Sequence, residues 1–344
     1  MAKQTTDALQ ASRELGADPI VSRLVRRISE DNDFKLRTDS DCAKELSASV
    51  AVACAHARSM VDELGDPFIL DRNQHTANAL GPVLFDSRQE ALDALRNASK
   101  VKEVFAASTA RECVFLLTMH RHEYTVFGSE IEGETVKRDV MQRVVEFGDQ
   151  HFSNAAGTLR ELRDMLVENV VLYLAGLALQ RLRTNEKMRA EILHSEELLK
   201  AQLKTLEYAL LEHRPFAAPS QLHAKLAQGG QELEGLTGRL SALTVKPDRN
   251  ICLREIQDIL LAPERHIHLE RVEMRVGDFG VKSATGKLVR FHECCYGDGE
   301  RLAVFLASMT RDNGLYLWPD LDTARSFPPN IRPTDRASLS RYRK

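Results

Sequence analysis

Apolar residues recur every three or four positions between Thr158 and His213, a stretch that contains no proline. From Met188 onward the pattern is regular, with charged residues between the apolar ones, which are Ile192, Leu199, Leu203, Leu206 and Leu210. This spacing is typical of a helix with one apolar face. The pattern therefore predicts a long helix over this range.

A second stretch with a helical pattern follows residues 214–220, where two prolines interrupt the first. Its leucines lie 4, 7, 3, 4 and 3 positions apart, with Gly229 in the one missing place; they are Leu222, Leu226, Leu233, Leu236, Leu240 and Leu243. These are the spacings of coiled-coil core positions. Two such helices joined by a short loop predict an antiparallel helical hairpin, which packs either within one chain or between two.

Shorter helices are predicted on both sides of this hairpin. Pro19–Ile28 places its apolar residues on one face and three arginines on the other. Asp41–Leu64 has a long apolar face and ends before Gly65. Ser87 and Glu90 form a capping-box pattern that begins another helix. A further helix is predicted around Leu253–Leu261, before a proline.

Two regions have the composition of β-strands. The residues of Cys113–Met119 and Tyr124–Phe127 are bulky and β-prone, which predicts a mostly buried strand. The valines of residues 134–148 fit a helix and a second strand almost equally well. Near the C-terminus, three apolar runs separated by glycine-containing turns predict an antiparallel meander, and they lie at 272–276, 288–291 and 302–306.

These elements together predict an α+β fold that is predominantly helical, with a long antiparallel hairpin and a small C-terminal β meander. We divide the chain into a flexible or loosely docked N-terminus, an α/β module, a helical region, a small α+β module and a basic, disordered tail. The corresponding ranges are 1–40, 41–157, 158–245, 246–320 and 321–344.

Composition and charge exclude few classes of protein, but they favour one location in the cell. The chain has 47 Lys and Arg against 50 Asp and Glu, a net charge of −3, so no global charge attracts nucleic acid or an anionic membrane. The most apolar stretch, Val170–Leu179, is far shorter than the roughly 20 residues that cross a bilayer. The N-terminal residues lack the apolar segment of a signal peptide, and the six cysteines are scattered. We therefore expect a cytoplasmic protein with reduced thiols and no membrane partner.

The candidate metal ligands are His120, His122, Asp149 and His151. On a strand, His120 and His122 would face the same side and could offer two nitrogens to one ion. Asp149 and His151 could add a carboxylate and a third imidazole, a set that suits a divalent transition metal. The sequence does not decide whether His120 and His151 meet. A second such pair, His266 and His268, has no clear partner.

No catalytic motif in the chain is complete. We therefore interpret the protein as non-enzymatic, without an expected cofactor: a regulatory, scaffold or adaptor protein that self-associates through the hairpin. Leu198 and Leu211 lie beside Leu199 and Leu210, and one partner helix cannot cover both faces, so a homodimer is expected. The first alternative is a metal-dependent enzyme or sensor that uses the histidines. The second is a nucleic-acid-associated protein that uses the basic tail from Arg325.

Overall fold

A computed structural model describes the chain at residues 18–30, 40–70, 80–85, 87–132, 135–211, 219–243, 249–277, 280–297 and 299–323. Helix makes up 60% and strand 28% of these residues, so the protein is mixed α and β with helix in the majority. Contacts divide the chain into two compact units. The first contains residues 1–54 and 171–263, and the second contains residues 55–170 and 264–344.

Ten α-helices are present in the described residues. In chain order they are α1 (Pro19–Glu30), α2 (Ser40–Glu63), α3 (Gly81–Leu84), α4 (Arg88–Arg96), α5 (Ser99–Ala107), α6 (Leu159–Leu211), α7 (Pro219–Ala242), α8 (Arg249–Leu261), α9 (Arg311–Leu317) and α10 (Asp320–Thr323). A 3-10 turn at Pro263–Arg265 follows α8. None of these helices is long and apolar enough to span a membrane.

Among the described residues of the second unit, six strands form one sheet. They are β1 (Phe68–Ile69), β2 (Glu112–Glu132), β3 (Thr135–Ala156), β4 (Ile267–Val276), β5 (Lys287–Tyr296) and β6 (Arg301–Thr310). Their order is β3-β2-β6-β5-β4, and all these neighbours are antiparallel. The short strand β1 pairs in parallel with β6.

The predicted C-terminal meander is present as β4, β5 and β6, but it does not stand alone. β6 also pairs with β2, from Glu112 opposite Thr310 to Met119 opposite Ala303. The meander therefore continues into the hairpin of β2 and β3, and the sheet is a central feature rather than a small terminal module. Pairing between residues so far apart in the chain leaves no local pattern, so the sequence did not predict it.

Residues 135–156 form strand β3, so the strand alternative for 134–148 is correct. β3 is irregular, because it carries an extra residue at three places where its register with β2 shifts. At those places Asp139, Asp149 and Asn154 have positive φ angles of 60°, 54° and 49°. Asp and Asn tolerate this left-handed conformation better than most residues, which suits them to β-bulges.

In the first unit, the apolar faces of the helices are buried as the spacing predicted. α1 buries Ile20, Leu24, Val25 and Ile28. The other buried faces include Leu46 and Val50 of α2, Leu174 and Ala178 of α6, and Ile256 and Leu260 of α8. Gln257 of α8 donates a hydrogen bond to the carbonyl of Glu45 in α2 at 3.2 Å, which ties these two helices together.

The sheet of the second unit is strongly curved. Phe147 of β3 and Phe291 of β5 have ring centroids 5.4 Å apart, although β2 and β6 separate these strands in the sheet order. The ring centroid of Phe305 on β6 lies 5.7 Å from that of Phe291 and 6.2 Å from that of Phe147. Val281, in the connection between β4 and β5, forms an isolated bridge with Val144 of β3. The sheet therefore curls around an aromatic core on its inner face.

Two predicted helix boundaries are confirmed. The hydroxyl of Ser87 accepts a hydrogen bond from the backbone N–H of Glu90 at 3.1 Å, as a capping box requires at the start of α4. Gly65 follows α2 with a φ angle of +74°, and its N–H donates to the carbonyl of Asp62 at 3.2 Å. This left-handed glycine ends α2 where the sequence predicted.

Candidate functional site

The predicted interaction residues of α7 lie on one half-buried stripe. The residues between them are mostly exposed, and Gly229, in the missing place of the heptad pattern, is buried in the same stripe. The half-buried leucines are Leu226, Leu233, Leu236 and Leu240 of α7, and Leu243 directly after its end. The side chain of Leu222 lies outside the described residues. The stripe agrees with the core positions that the leucine spacing predicted.

Helix α6 carries a similar stripe. Its buried and half-buried positions recur at alternating spacings of three and four, at Leu182, Asn185, Arg189, Ile192, Glu196, Leu199, Leu203 and Leu206. The two stripes touch at Gly229, where an added β-carbon would lie 2.5 Å from Cδ2 of Leu203. The backbone of α7 therefore packs directly on a leucine side chain of α6.

The opposite side of α6 carries exposed apolar residues. Leu198 is 53% exposed and Tyr208 is 57% exposed. Ala201 and Thr205 are exposed between them, so the four residues have spacings of three, four and three along the helix. Residues at these spacings share one side of a helix. α6 therefore has a second stripe, which we call the outer stripe, facing away from α7.

The histidine pair of the predicted metal site lies on β2, with both rings on the same face. The ring centroids of His120 and His122 are 6.2 Å apart. Across the strand pair, His120 lies opposite Gly148 and His122 opposite Glu146. The structure therefore places these two side chains as the strand prediction required.

Of the other two predicted ligands, Asp149 lies at a bulge of β3 and His151 lies beyond it. Asp149 is at the bulge between the pairs His120–Gly148 and Thr118–His151, and its positive φ gives it a structural role there. Among the described residues, one group of three possible metal ligands has its ligand atoms within 4.8 Å of one another. This group includes none of the four ligands predicted from the sequence. Metal binding by the predicted set stays a prediction.

A buried ion pair joins β2 to β5 on the inner face of the sheet. Nε of Arg121 donates to Oε1 of Glu293 at 2.5 Å, and Nη2 donates to Oε2 at 3.3 Å. The side chain of Glu293 is 3% exposed and that of Arg121 is 21% exposed. The hydrogen bond to Glu293 raises the pKa of Arg121. Ala303 of β6, which pairs with Glu293, offers only a methyl group between these strands and leaves space for the arginine.

The ion pair continues into a network of charged side chains at both ends. Arg121 also contacts Glu123, and Nζ of Lys282 donates to Oε2 of Glu123 at 2.7 Å. The hydrogen bond from Lys282 lowers the pKa of Glu123. On the other side, Arg301 lies 3.9 Å from Oε2 of Glu293. Because acids and bases alternate along this chain of contacts, each charge is close to one of opposite sign.

The group of possible metal ligands is at the edge of this network. It consists of His268 and Glu270 on β4 and Cys295 on β5. Nε2 of His268 lies 3.6 Å from Oε1 of Glu270, and Arg301 already donates to Oε2 of Glu270 at 2.7 Å. Burial raises the pKa of the Cys295 thiol, which disfavours the thiolate that binds metals. The contacts therefore explain this group as part of the ion network.

Sequence reasoning did not find the Arg121–Glu293 pair, because its members are 172 positions apart in the chain. One signal was present: Glu293 lies on the same face of an apolar strand as Phe291 and Cys295, where a charge needs a partner. The basic tail from Arg325, the candidate nucleic-acid surface, lies outside the described residues.

Comparison with known proteins gives no relative. No protein-family model matches the chain, and no curated protein and no solved structure matches it.

Proposed function

We propose that the protein is a cytoplasmic, non-enzymatic regulatory, scaffold or adaptor protein that forms a homodimer through the hairpin of α6 and α7. The observation that carries the proposal is the outer stripe of α6, in which Leu198 and Tyr208 are more than half exposed. Large apolar side chains at helical spacing on an open helix face are typical of protein–protein contacts.

The first step of the proposal is an antiparallel seam within each chain. The contact between Gly229 and Leu203 lies a similar distance from the ends of α6 and α7 that the connection joins. Half-buried leucines then continue on both helices at core spacing. An antiparallel seam brings Leu236 towards the part of α6 near Glu196, and Leu226 towards Leu206.

The second step is contact between two hairpins. The seam uses one side of α6, so the outer stripe needs another partner, and a second copy of the same chain offers an identical stripe. A two-fold axis allows the two stripes to pack on each other with matching residues. Burying an exposed leucine or tyrosine side chain contributes roughly 1.5–3 kcal/mol, so a short stripe supports a reversible dimer rather than a permanent one.

The test is the molar mass of the full chain in solution, measured by light scattering at tens of micromolar, about the range in which a modest interface is occupied. We expect the wild type to be dimeric and the double variant Leu198→Asp/Tyr208→Asp to be monomeric. Its far-UV circular dichroism should be unchanged, because both residues are exposed.

The matched control is Gln231→Asp, which adds a charge to an exposed position of α7 and leaves the outer stripe of α6 unchanged. This variant should remain dimeric. A monomeric wild type contradicts the proposal, and so does a double variant that keeps the mass of the wild type. Leu236→Asp tests the seam separately: it places a charge among half-buried leucines, so helicity should fall.

A further inference from the structure

The edge of β6 that faces β5 and β1 has a gap. β5 pairs with β6 from Arg301 to Val304, and β1 pairs with it at Ala307 and Ser308. Among the described strands, none pairs with Phe305 or Leu306 on this edge. The first half of β5 instead pairs only with β4 and turns away from β6. The sheet is therefore split at its centre.

A cavity of about 570 Å³ opens at this split. Its floor is apolar and largely aromatic, with Phe68, Phe291 and Phe305 in contact: Phe305 lies 6.1 Å from Phe68 and 5.7 Å from Phe291. The volume is within the range of small-molecule sites, which are commonly apolar with a few placed polar groups.

One wall of the cavity is basic. Arg271 of β4 and Arg290 of β5 both line it. Both guanidinium groups contact the same atom, Oε1 of Glu273, at 2.6 Å from Nη2 of Arg271 and 3.1 Å from Nε of Arg290. One carboxylate neutralises one positive charge, so this trio keeps a net charge of about +1 at neutral pH. The wall is therefore suited to a carboxylate.

Another part of the lining is acidic. Glu63, at the end of α2, and Asp66, just after it, line the cavity. The C-terminal end of a helix carries a partial negative charge that favours cations, and α2 ends here. This wall is therefore suited to an ammonium group.

His292 also lines the cavity and is half-buried. Burial lowers its pKa; nearby Arg271 lowers it further, while Glu63 acts in the opposite direction. The imidazole is therefore close to both charged walls, and in its neutral form it can donate or accept a hydrogen bond.

We propose that this cavity binds a small zwitterion with an apolar body, namely a free amino acid such as leucine or phenylalanine, or a dipeptide of such residues. Arg271 and Arg290 hold its carboxylate, Glu63 and Asp66 hold its ammonium group, and the side chain packs on the phenylalanines. The two acids disfavour a phosphate-bearing ligand by repulsion. Binding here does not depend on self-association through the hairpin.

The test is isothermal titration of the full-length protein with L-leucine, L-phenylalanine and the dipeptide Leu-Leu. Each is compared with its N-acetyl derivative, which lacks the ammonium group, and with its amide, which lacks the carboxylate. We expect one-to-one binding of at least one zwitterion, with both blocked forms weaker by roughly tenfold or more, because each loses a charge-assisted hydrogen bond. Tighter binding of Leu-Leu than of leucine identifies a peptide site, and the reverse identifies an amino-acid site.

Two variants assign the walls. Arg271→Gln should lower the affinity for the zwitterion roughly tenfold. The affinity for the amide should not change, because the amide has no carboxylate for Arg271 to contact. Glu63→Gln should weaken the zwitterion and leave the N-acetyl derivative unaffected. Arg275→Gln is the matched control, since Arg275 is an exposed arginine on the same strand and does not line the cavity.

Three results overturn the proposal. The first is no saturable binding of any zwitterion up to about 10 mM, where even a millimolar site is mostly occupied. The second is equal affinity of the wild type for the free and the blocked ligands. This measurement uses the wild type alone, so it does not depend on whether a variant folds. The third is an equal loss of affinity in Arg271→Gln and Arg275→Gln, which would place the ligand elsewhere.

Discussion

Gly229 of α7 lies so close to Leu203 of α6 that any larger residue at position 229 must displace the leucine. A β-carbon there would lie 2.5 Å from Cδ2 and 3.3 Å from Cγ of Leu203. The other glycines of α7 differ, since a β-carbon at Gly230, Gly235 or Gly238 would meet nothing within 4 Å. Gly229 is therefore the glycine of α7 whose replacement requires a neighbouring side chain to move.

This difference predicts opposite effects of the same substitution. Gly235→Ala should stabilise the protein by about 0.5–1 kcal/mol, because alanine loses less backbone freedom in a helix than glycine. Gly229→Ala should instead destabilise it by about 1 kcal/mol, because overpacking outweighs that gain. Urea unfolding followed by far-UV circular dichroism measures both. In a Leu203→Ala background, Gly229→Ala should become stabilising; if it stays destabilising there, the two residues are not in contact.

The helices of this fold could be predicted from the sequence because their signals are local. The spacing of Ile20, Leu24 and Ile28 indicated the buried face of α1, and Gly65 followed by Pro67 indicated the end of α2. The sheet could not be predicted to the same extent. The valines of β3 fit a helix and a strand almost equally well. The three bulges of β3 also interrupt the alternation of inward and outward side chains that would have identified it as a strand. The pairing of β2 with β6 depends on contacts between distant residues.

The buried ion pair predicts a large effect from one charged residue. Arg121→Ala leaves the carboxylate of Glu293 buried without its main partner, and we expect a loss on the order of 3 kcal/mol in the free energy of unfolding. Replacing both residues by apolar ones, in Arg121→Met/Glu293→Leu, should recover most of it. Arg301→Ala is the control: its side chain is 53% exposed, so its loss should be below about 1 kcal/mol. Similar losses for Arg121→Ala and Arg301→Ala would contradict a special role for the buried pair.

The candidate sites, like the fold, could be predicted from the sequence only where their signals are local. The pair His120 and His122 could be placed on one face from their spacing, since a strand repeats every two residues. The bulge at Asp149 could not be foreseen, because it depends on the register with β2. The cavity at the centre of the sheet is lined by five separate segments of the chain, so no local pattern predicts it. Neither Arg271 nor Glu63 has a sequence signal that distinguishes it from other surface charges.

Metal analysis of protein purified without an affinity tag tests the alternative function. We expect less than one equivalent of zinc, iron or manganese per chain, because Arg301 holds Glu270 and the raised pKa of Cys295 keeps its thiol protonated. A stoichiometric metal would overturn this expectation. Its loss in His120→Ala would then favour the predicted set with His122, and its loss in Cys295→Ala would favour the group on β4 and β5.

The contact between Lys282 and Glu123 predicts how stability depends on pH. The hydrogen bond from Lys282 lowers the pKa of Glu123 below its ordinary value of 4.5. A carboxylate with a lowered pKa stabilises the folded state above its unfolded pKa, and that contribution is lost as the pH falls through the folded pKa. Lys282→Met should therefore cost up to about 1 kcal/mol at neutral pH, since both side chains are partly exposed, and much less at about pH 3. Lys287→Met, at an exposed strand position, is the control and should cost little at either pH. If urea unfolding gives the same loss for Lys282→Met at both pH values, the ionised Glu123 is not the partner that Lys282 stabilises.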